Sequence, residues 1–161
     1  MIHFLLNTPF GVAVSTFFIA MVPVVELRGA IPFGVLRGLP VWLAAVIAAG
    51  GNIVPVPFIL LFIRRILRYL RAKSNVLGRA AEKLETRAIG RSGSLLYRGE
   101  VFGLILLVAI PLPGTGAWTG ALVAAVLKMR LRTAFPAIAA GVVAAAVAVG
   151  LITLGGTELF N

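Results

Sequence analysis

The chain has 161 residues, of which 60% are hydrophobic and only 12% charged, whereas an average soluble domain is about a quarter charged. That composition excludes a water-soluble globule and makes the bilayer the solvent for most of the surface. The net charge of +10 does not point to nucleic acid, because ten of the fifteen basic residues lie between Arg64 and Arg98 and three more are Lys128, Arg130 and Arg132. Basic residues that flank apolar spans mark cytoplasmic faces and attract anionic lipid headgroups by about 1 kcal/mol each. Membrane lipids are therefore the expected partners. The chain has no Cys and no Asp, and His3 is its single histidine. Disulfides, thiolate metal sites, catalytic triads and metal clusters are thereby set aside, and no phosphate-binding G-x-x-x-x-G-K-[ST] loop is present. Neither an enzyme nor a cofactor is expected.

Residues 8–25 are apolar and uncharged, about eighteen in number and barely long enough to span. With no basic n-region and no A-x-A site, the N-terminal part reads as an uncleaved membrane segment rather than a signal peptide. This stretch runs into Pro23, Glu26 and Arg28, and only residues 29–36 separate it from Arg37-Gly38-Leu39-Pro40. So short a second stretch cannot cross. A re-entrant hairpin is expected, turning at Val24–Arg28 and broken by Pro23 and Pro32, because non-helical backbone at membrane depth needs protein or a watery cavity around it. Residues 39–63 form one tilted span, in which Pro55 and Pro57 should kink or unwind the helix near Gly50, Gly51 and Asn52.

Residues 64–99 are the polar middle. Within 74–91, Leu77, Ala81, Leu84 and Ala88 recur at helical spacing, with Arg79, Lys83 and Arg87 on another face. The pattern predicts an amphipathic helix at the cytoplasmic interface, capped by Ser74 or Asn75; the plain alternative is a solvated connector between the repeats. Residues 101–112 enter the membrane again and break at Pro111, Pro113, Gly114 and Gly116; residues 117–127 return to Lys128 as a second hairpin. Residues 133–155 are a final span rich in small residues, which allow close helix approach.

Shifting residues 20–51 onto 109–142 superposes Gly29-Ala30 on Gly120-Ala121, Val35-Leu36-Arg37 on Val126-Leu127-Lys128, and Ile47-Ala48-Ala49-Gly50 on Ile138-Ala139-Ala140-Gly141. Broken hydrophobic segments at matching places in two halves point to a transporter binding site. The expected fold is all-α and integral to the membrane. It consists of two inverted repeats, each a re-entrant helical hairpin plus a transmembrane helix, joined by the cytoplasmic amphipathic helix. Repeat one covers 8–63, the connector 64–99 and repeat two 100–156, in one membrane domain over 1–161. The basic middle places the first hairpin's opening and both termini outside the cell membrane and the second hairpin's opening inside.

Charged residues within membrane segments cost about 2.5–3.5 kcal/mol each on insertion scales, so Glu26 and Arg28 are the leading functional candidates. Glu26 suits a proton carrier or a partner for a cationic substrate. Arg28 suits an anion such as phosphate, which its planar fork matches. The plain alternatives are a structural ion pair, or two residues at the membrane surface. The second tip offers Thr115, Trp118 and Thr119, together with backbone N–H groups at the start of the returning helix, which can face a negative group; otherwise these residues only make a tight turn. Asn52 either contacts substrate or hydrogen-bonds a neighbouring helix. Glu100 reads as an interfacial residue beside Arg98.

Glu26-Leu27-Arg28-Gly29-Ala30-Ile31-Pro32 and Pro111-x-Pro113-Gly114-Thr115-Gly116-Ala117-Trp118-Thr119-Gly120 resemble the two signature segments of the small multidrug export family, over most of the chain. The paired hairpins also resemble the DedA superfamily, whose members are implicated in moving undecaprenyl phosphate and other lipids. Typical DedA members carry an arginine near the second tip, where this chain has none. The resemblance implies a lipid-phosphate substrate or a proton-coupled one. Two functions are carried forward. One is a transporter or lipid flippase for a lipid-phosphate or small amphipathic substrate; the other is a membrane assembly or scaffold protein whose hairpins only pack. Two full spans shield two hairpins poorly, so a homodimer or larger assembly is expected.

Overall fold

Proline and glycine divide this apolar chain into helices, and the computed structural model describes residues 8–73, 93–111 and 115–159. Every regular element among them is an α-helix: α1 Pro9–Met21, α2 Glu26–Leu36, α3 Val41–Ile53, α4 Pro55–Lys73, α5 Gly93–Ala109, α6 Ala117–Val126 and α7 Leu131–Leu159. The helix expected over 74–91 and the breaks at Pro113 and Gly114 lie outside the described residues.

Local chemistry accounts for most boundaries. Thr8 caps α1 by accepting the Gly11 N–H at 3.1 Å, and Pro9 follows it where a missing donor costs nothing. α2 and α6 end in the same motif. Gly38 and Leu39 donate back to Val35 and Gly34, and Lys128 and Met129 donate back to Ala125 and Ala124. The left-handed residue that this motif requires is Gly38 in one copy (φ 95°) and Lys128 in the other (φ 56°). Between α3 and α4 the interruption is a single residue, Val54, which keeps right-handed helical angles and donates to the Gly50 carbonyl at 3.2 Å. Pro55 starts α4, so the prolines interrupt the helix without turning the chain back.

Two expectations about the first tip are corrected. The turn occupies residues 22–25 rather than Val24–Arg28, and α2 starts at Glu26. Val24 (φ 80°) and Glu26 (φ 46°) complete the reversal early, so Glu26 and Arg28 ride on a helix instead of a loop. Pro32 is not a break but lies inside α2. Its missing N–H removes one helical bond and costs about 3 kcal/mol. Burial of Leu27, Ala30, Ile31 and Gly34 on the packed face of α2 outweighs that loss, because tertiary packing supplies most of a helix's stability.

α1 packs on α2 and α3, α5 packs on α7 and α6, and the halves meet where α7 lies against α2 and α3 and where α4 lies against α6. Close approach depends on two glycines. A side chain at Gly51 would overlap the Phe17 carbonyl of α1, and one at Gly141 would lie 2.9 Å from the Ile105 carbonyl of α5. The N-terminus of α1 shares a cleft with Arg37, Gly38 and Leu39 at the end of α2. Arg64 of α4 donates to the Met129 carbonyl after α6, and Gly150 of α7 lies against Val41 at the start of α3. α7 therefore runs antiparallel to α3 and α4.

Val41–Ile66 and Leu131–Gly156 are each 26 residues long and strongly apolar, with only 33% and 44% of their most apolar windows buried. Phe10, Phe18, Leu36, Trp42, Phe58, Phe62, Phe102 and Leu151 point outward. Apolar exposure on this scale calls for an apolar solvent. Both helices exceed the roughly twenty residues that cross a bilayer.

Candidate functional site

The tip of the first half and the tip of the second meet inside the bundle. Glu26 opens α2 and is 6% exposed. Its Oε1 accepts the Trp118 backbone N–H at 3.3 Å, and the Ala117 N–H also acts on the carboxylate. These are first-turn donors of α6, unsatisfied within the helix, where the positive end of the helix dipole favours an anion. Gly116, immediately before α6 at φ 154°, has no side chain where the carboxylate packs. A Cβ there would overlap Oε2 and lie 2.6 Å from Cδ.

Arg28, two residues along α2, reaches across to the same tip. Its Nη2 donates to the Thr115 backbone carbonyl and to Thr115 Oγ1 at 3.0 Å. That hydroxyl donates to the Ile110 carbonyl at 2.7 Å, tying the end of α5 to the guanidinium. Trp118 closes the contact from the other side, its indole N–H donating to the Met21 carbonyl at 3.3 Å. The charge of Arg28 acts on Glu26 through space, while its hydrogen bonds go to the second half.

Asn52 near the end of α3 is 1% exposed. Its amide acts on the Glu26 carboxylate from close by, yet neither its Oδ1 nor its Nδ2 has a hydrogen-bond partner within 3.5 Å. A cavity of about 10 Å³ is lined by Glu26, Arg28, Asn52, Gly116, Ala145 and Val149, among others, with room for roughly one water.

Of the residues singled out from sequence, Glu26, Arg28, Asn52, Thr115 and Trp118 thus converge on one place. Thr119 is half-buried on α6 and does not line the cavity. Pro23 lies in the first turn, Pro111 follows α5 outside any helix, and Gly116 immediately precedes α6. Sequence reasoning took Gly116 only as a break and missed its role as the surface on which a carboxylate rests. It also missed Ala145 and Val149, while the Ala117 and Trp118 N–H groups are among the backbone donors it placed at the start of the returning helix. The small-residue character of α7 was visible, but which of its faces meets α2 was not. Among the described residues no group of three or more His, Cys, Asp or Glu is placed to hold a metal.

The chain matches the family described as "Putative small multi-drug export protein" over residues 26–148, more than half its length and beginning at Glu26 itself. The chain belongs to this family. The match covers α2 to α6 and α7 as far as residue 148, so α1 and Val149 lie outside it. No curated protein and no solved structure shows significant similarity to the chain. Family membership and the two long apolar helices agree that this is a membrane protein.

Proposed function

We propose that the chain is an integral membrane transporter or lipid flippase working by alternating access between two inverted re-entrant hairpins, not an enzyme. Its substrate carries a phosphate-like or small amphipathic group, and Glu26 couples its movement to protons. The observation that carries the reading is the meeting of Glu26 and Arg28 with the N-terminus of α6, deep between two broken segments. An ionisable pair inside a membrane bundle marks a substrate or proton path, and the half-helix N-terminus beside it is the recurring anion-facing element of transporters.

Lengths support the hairpins. α1 has 13 residues and α2 has 11, about 20 Å and 17 Å of rise, against a hydrocarbon core of about 30 Å. The cleft that joins the start of α1 to the end of α2 fits a segment that enters and leaves on one face. The Arg64–Met129 contact fits a second opening on the face where α4 ends. The cluster of basic residues after Arg64 then puts that second face in the cytoplasm and both ends of the given chain outside an inner membrane. Val22, Val24 and Val25 of the first tip are exposed. Irregular backbone at membrane depth needs protein cover, which favours a homodimer or larger assembly surrounded by lipid.

The test uses proteoliposomes. Wild type should move fluorescent phosphatidic acid between leaflets, or ethidium across the membrane, faster than empty vesicles do. Loss with Arg28→Lys selects the phosphate-bearing substrate, and loss with Glu26→Gln selects proton coupling or a cation. A wild-type protein that moves neither probe would sink the transporter reading and leave the scaffold one. A second test uses Leu36→Cys and Arg130→Cys, at exposed positions at the end of α2 and after α6. They should react with an impermeant maleimide from opposite sides, and labelling from the same side would end the inverted arrangement.

A further inference from the structure

The cavity between the tips is nearly filled, and what fills it belongs to the protein. The Glu26 carboxylate occupies the place at the N-terminus of α6 where a bound anion would accept hydrogen bonds. Gly116 supplies the space for it. Beside it, Asn52 is buried and close enough to act on the Glu26 carboxylate, yet neither of its polar atoms has a hydrogen-bond partner within 3.5 Å, and it lines the same cavity. Buried amides are nearly always satisfied, so an unmatched one calls for a ligand or water to complete it. A space of about 10 Å³ admits no substrate while Glu26 stays. We infer that Glu26 is a tethered stand-in for the ligand, which is an oxyanion of the phosphate-monoester or carboxylate class. To bind, it displaces the Glu26 side chain, takes the Ala117 and Trp118 N–H donors, and satisfies the Asn52 amide and the Arg28 guanidinium.

This inference rests on the transporter reading only for its biological setting; the site itself rests on the geometry of the tips. It assigns Asn52 a binding role and makes Glu26 a competitor rather than a ligand-holding group. Competition links the two occupants by mass action. Protonating Glu26 removes the charge that holds it on α6, so oxyanion binding strengthens as pH falls. The groups facing Glu26 leave little else to titrate. Arg28 is the charged neighbour on α2 itself. α1, α3 and α6 contain no titratable side chain, and α7 faces the carboxylate with Ala145 and Val149.

The test follows Trp118 fluorescence of the full-length chain in detergent, with the exposed Trp42 replaced by Phe. Inorganic phosphate and a soluble short-chain phosphatidic acid are titrated separately at pH 6 and pH 8. At least one of them should bind, more tightly at the lower pH. Binding of both means that the phosphate group suffices, and binding of the lipid alone assigns the site to a headgroup. Glu26→Gln should tighten binding by tenfold or more and leave only the pH dependence that the probe's own second phosphate ionisation gives. Asn52→Leu should weaken binding about tenfold with its melting temperature within a few degrees of the parent. Should Asn52→Leu fail to fold, Asn52→Asp takes its place; it sets a second carboxylate in the cavity and should weaken binding further. Unchanged or weaker binding in Glu26→Gln would overturn the competition, and no binding of either probe to any variant would overturn the oxyanion site. Either result leaves the transport assay free to stand, and a protein that binds phosphate but transports nothing fails the transporter reading alone.

Discussion

The two halves of the molecule are built alike and equipped differently. Each has two helices joined by a broken tip and followed by a long apolar helix, each closes its second helix with the same left-handed cap, and each brings its first helix against its long one at a glycine. At the tips the likeness ends. The first half contributes charged side chains, Glu26 and Arg28. The second contributes backbone: the Thr115 carbonyl, the Ala117 and Trp118 N–H groups, and the bare Cα of Gly116. One charged tip thus meets one dipolar tip. Two identical charged tips would instead oppose like charges, which disfavour each other at close range.

The shared scaffold is most sharply broken at its helix contacts. Gly51→Ala and Gly141→Ala each push a Cβ into the first helix of their half, and each should lower stability by about 1–3 kcal/mol in denaturant titration of the detergent-solubilised protein. Destabilisation by one and not the other would show that the halves do not share this packing. Next comes the pair Gly120 and Gly29, which coincide when the halves are superposed. A Cβ at Gly120 meets Val108 at 2.5 Å and also Ile138 and Leu104 in the core, whereas one at Gly29 meets only the end of the partly exposed Val25 side chain. Gly120→Ala should cost about 1–2 kcal/mol. Gly29→Ala should be within about 0.5 kcal/mol of neutral, since the gain in helix propensity offsets a shifted side chain.

The difference between the tips is sharpened by Thr115→Val, which removes a hydroxyl that donates to Ile110 and accepts from Arg28. A loss of about 0.5–1.5 kcal/mol is expected from thermal unfolding. The matching change in the first tip, Val24→Thr at a position 92% exposed, should be neutral within about 0.5 kcal/mol. The caps differ in sign as well as in size. Gly38→Ala meets no atoms but strains φ 95° and should cost about 1 kcal/mol. Lys128→Gly relieves φ 56° and should gain a few tenths of a kcal/mol. A loss on Lys128→Gly would mean that the lysine side chain contributes more than its backbone costs.

Much of this was legible in the chain. The breaks near Pro23, Val54 and Pro111 follow from missing donors and turn chemistry, which act over a few residues. The two long spans follow from runs of apolar residues. The candidates Glu26 and Arg28 stood out because charge is scarce in such surroundings. Pro32 misled because a local rule predicts a break wherever proline falls, while the buried face of α2 holds the helix together through it. Gly116 was readable as a turn residue but not as the floor beneath a carboxylate, since no local pattern names the atom that will approach it.

By itself the sequence determined that the chain lives in a bilayer, that it is helical and twice broken, and that Glu26 and Arg28 are its costly residues. Hydropathy, scarcity of charge and proline chemistry all act within a turn or two of helix. Only the tertiary structure decided that Arg28 would bond to Thr115, 87 residues away, that Glu26 would sit on the N–H of Trp118, 92 residues away, and that Asn52 would face the same cavity unpaired. Those outcomes depend on how α2, α3, α6 and α7 pack. That packing is set by the small residues along the helices acting together, which no single segment encodes.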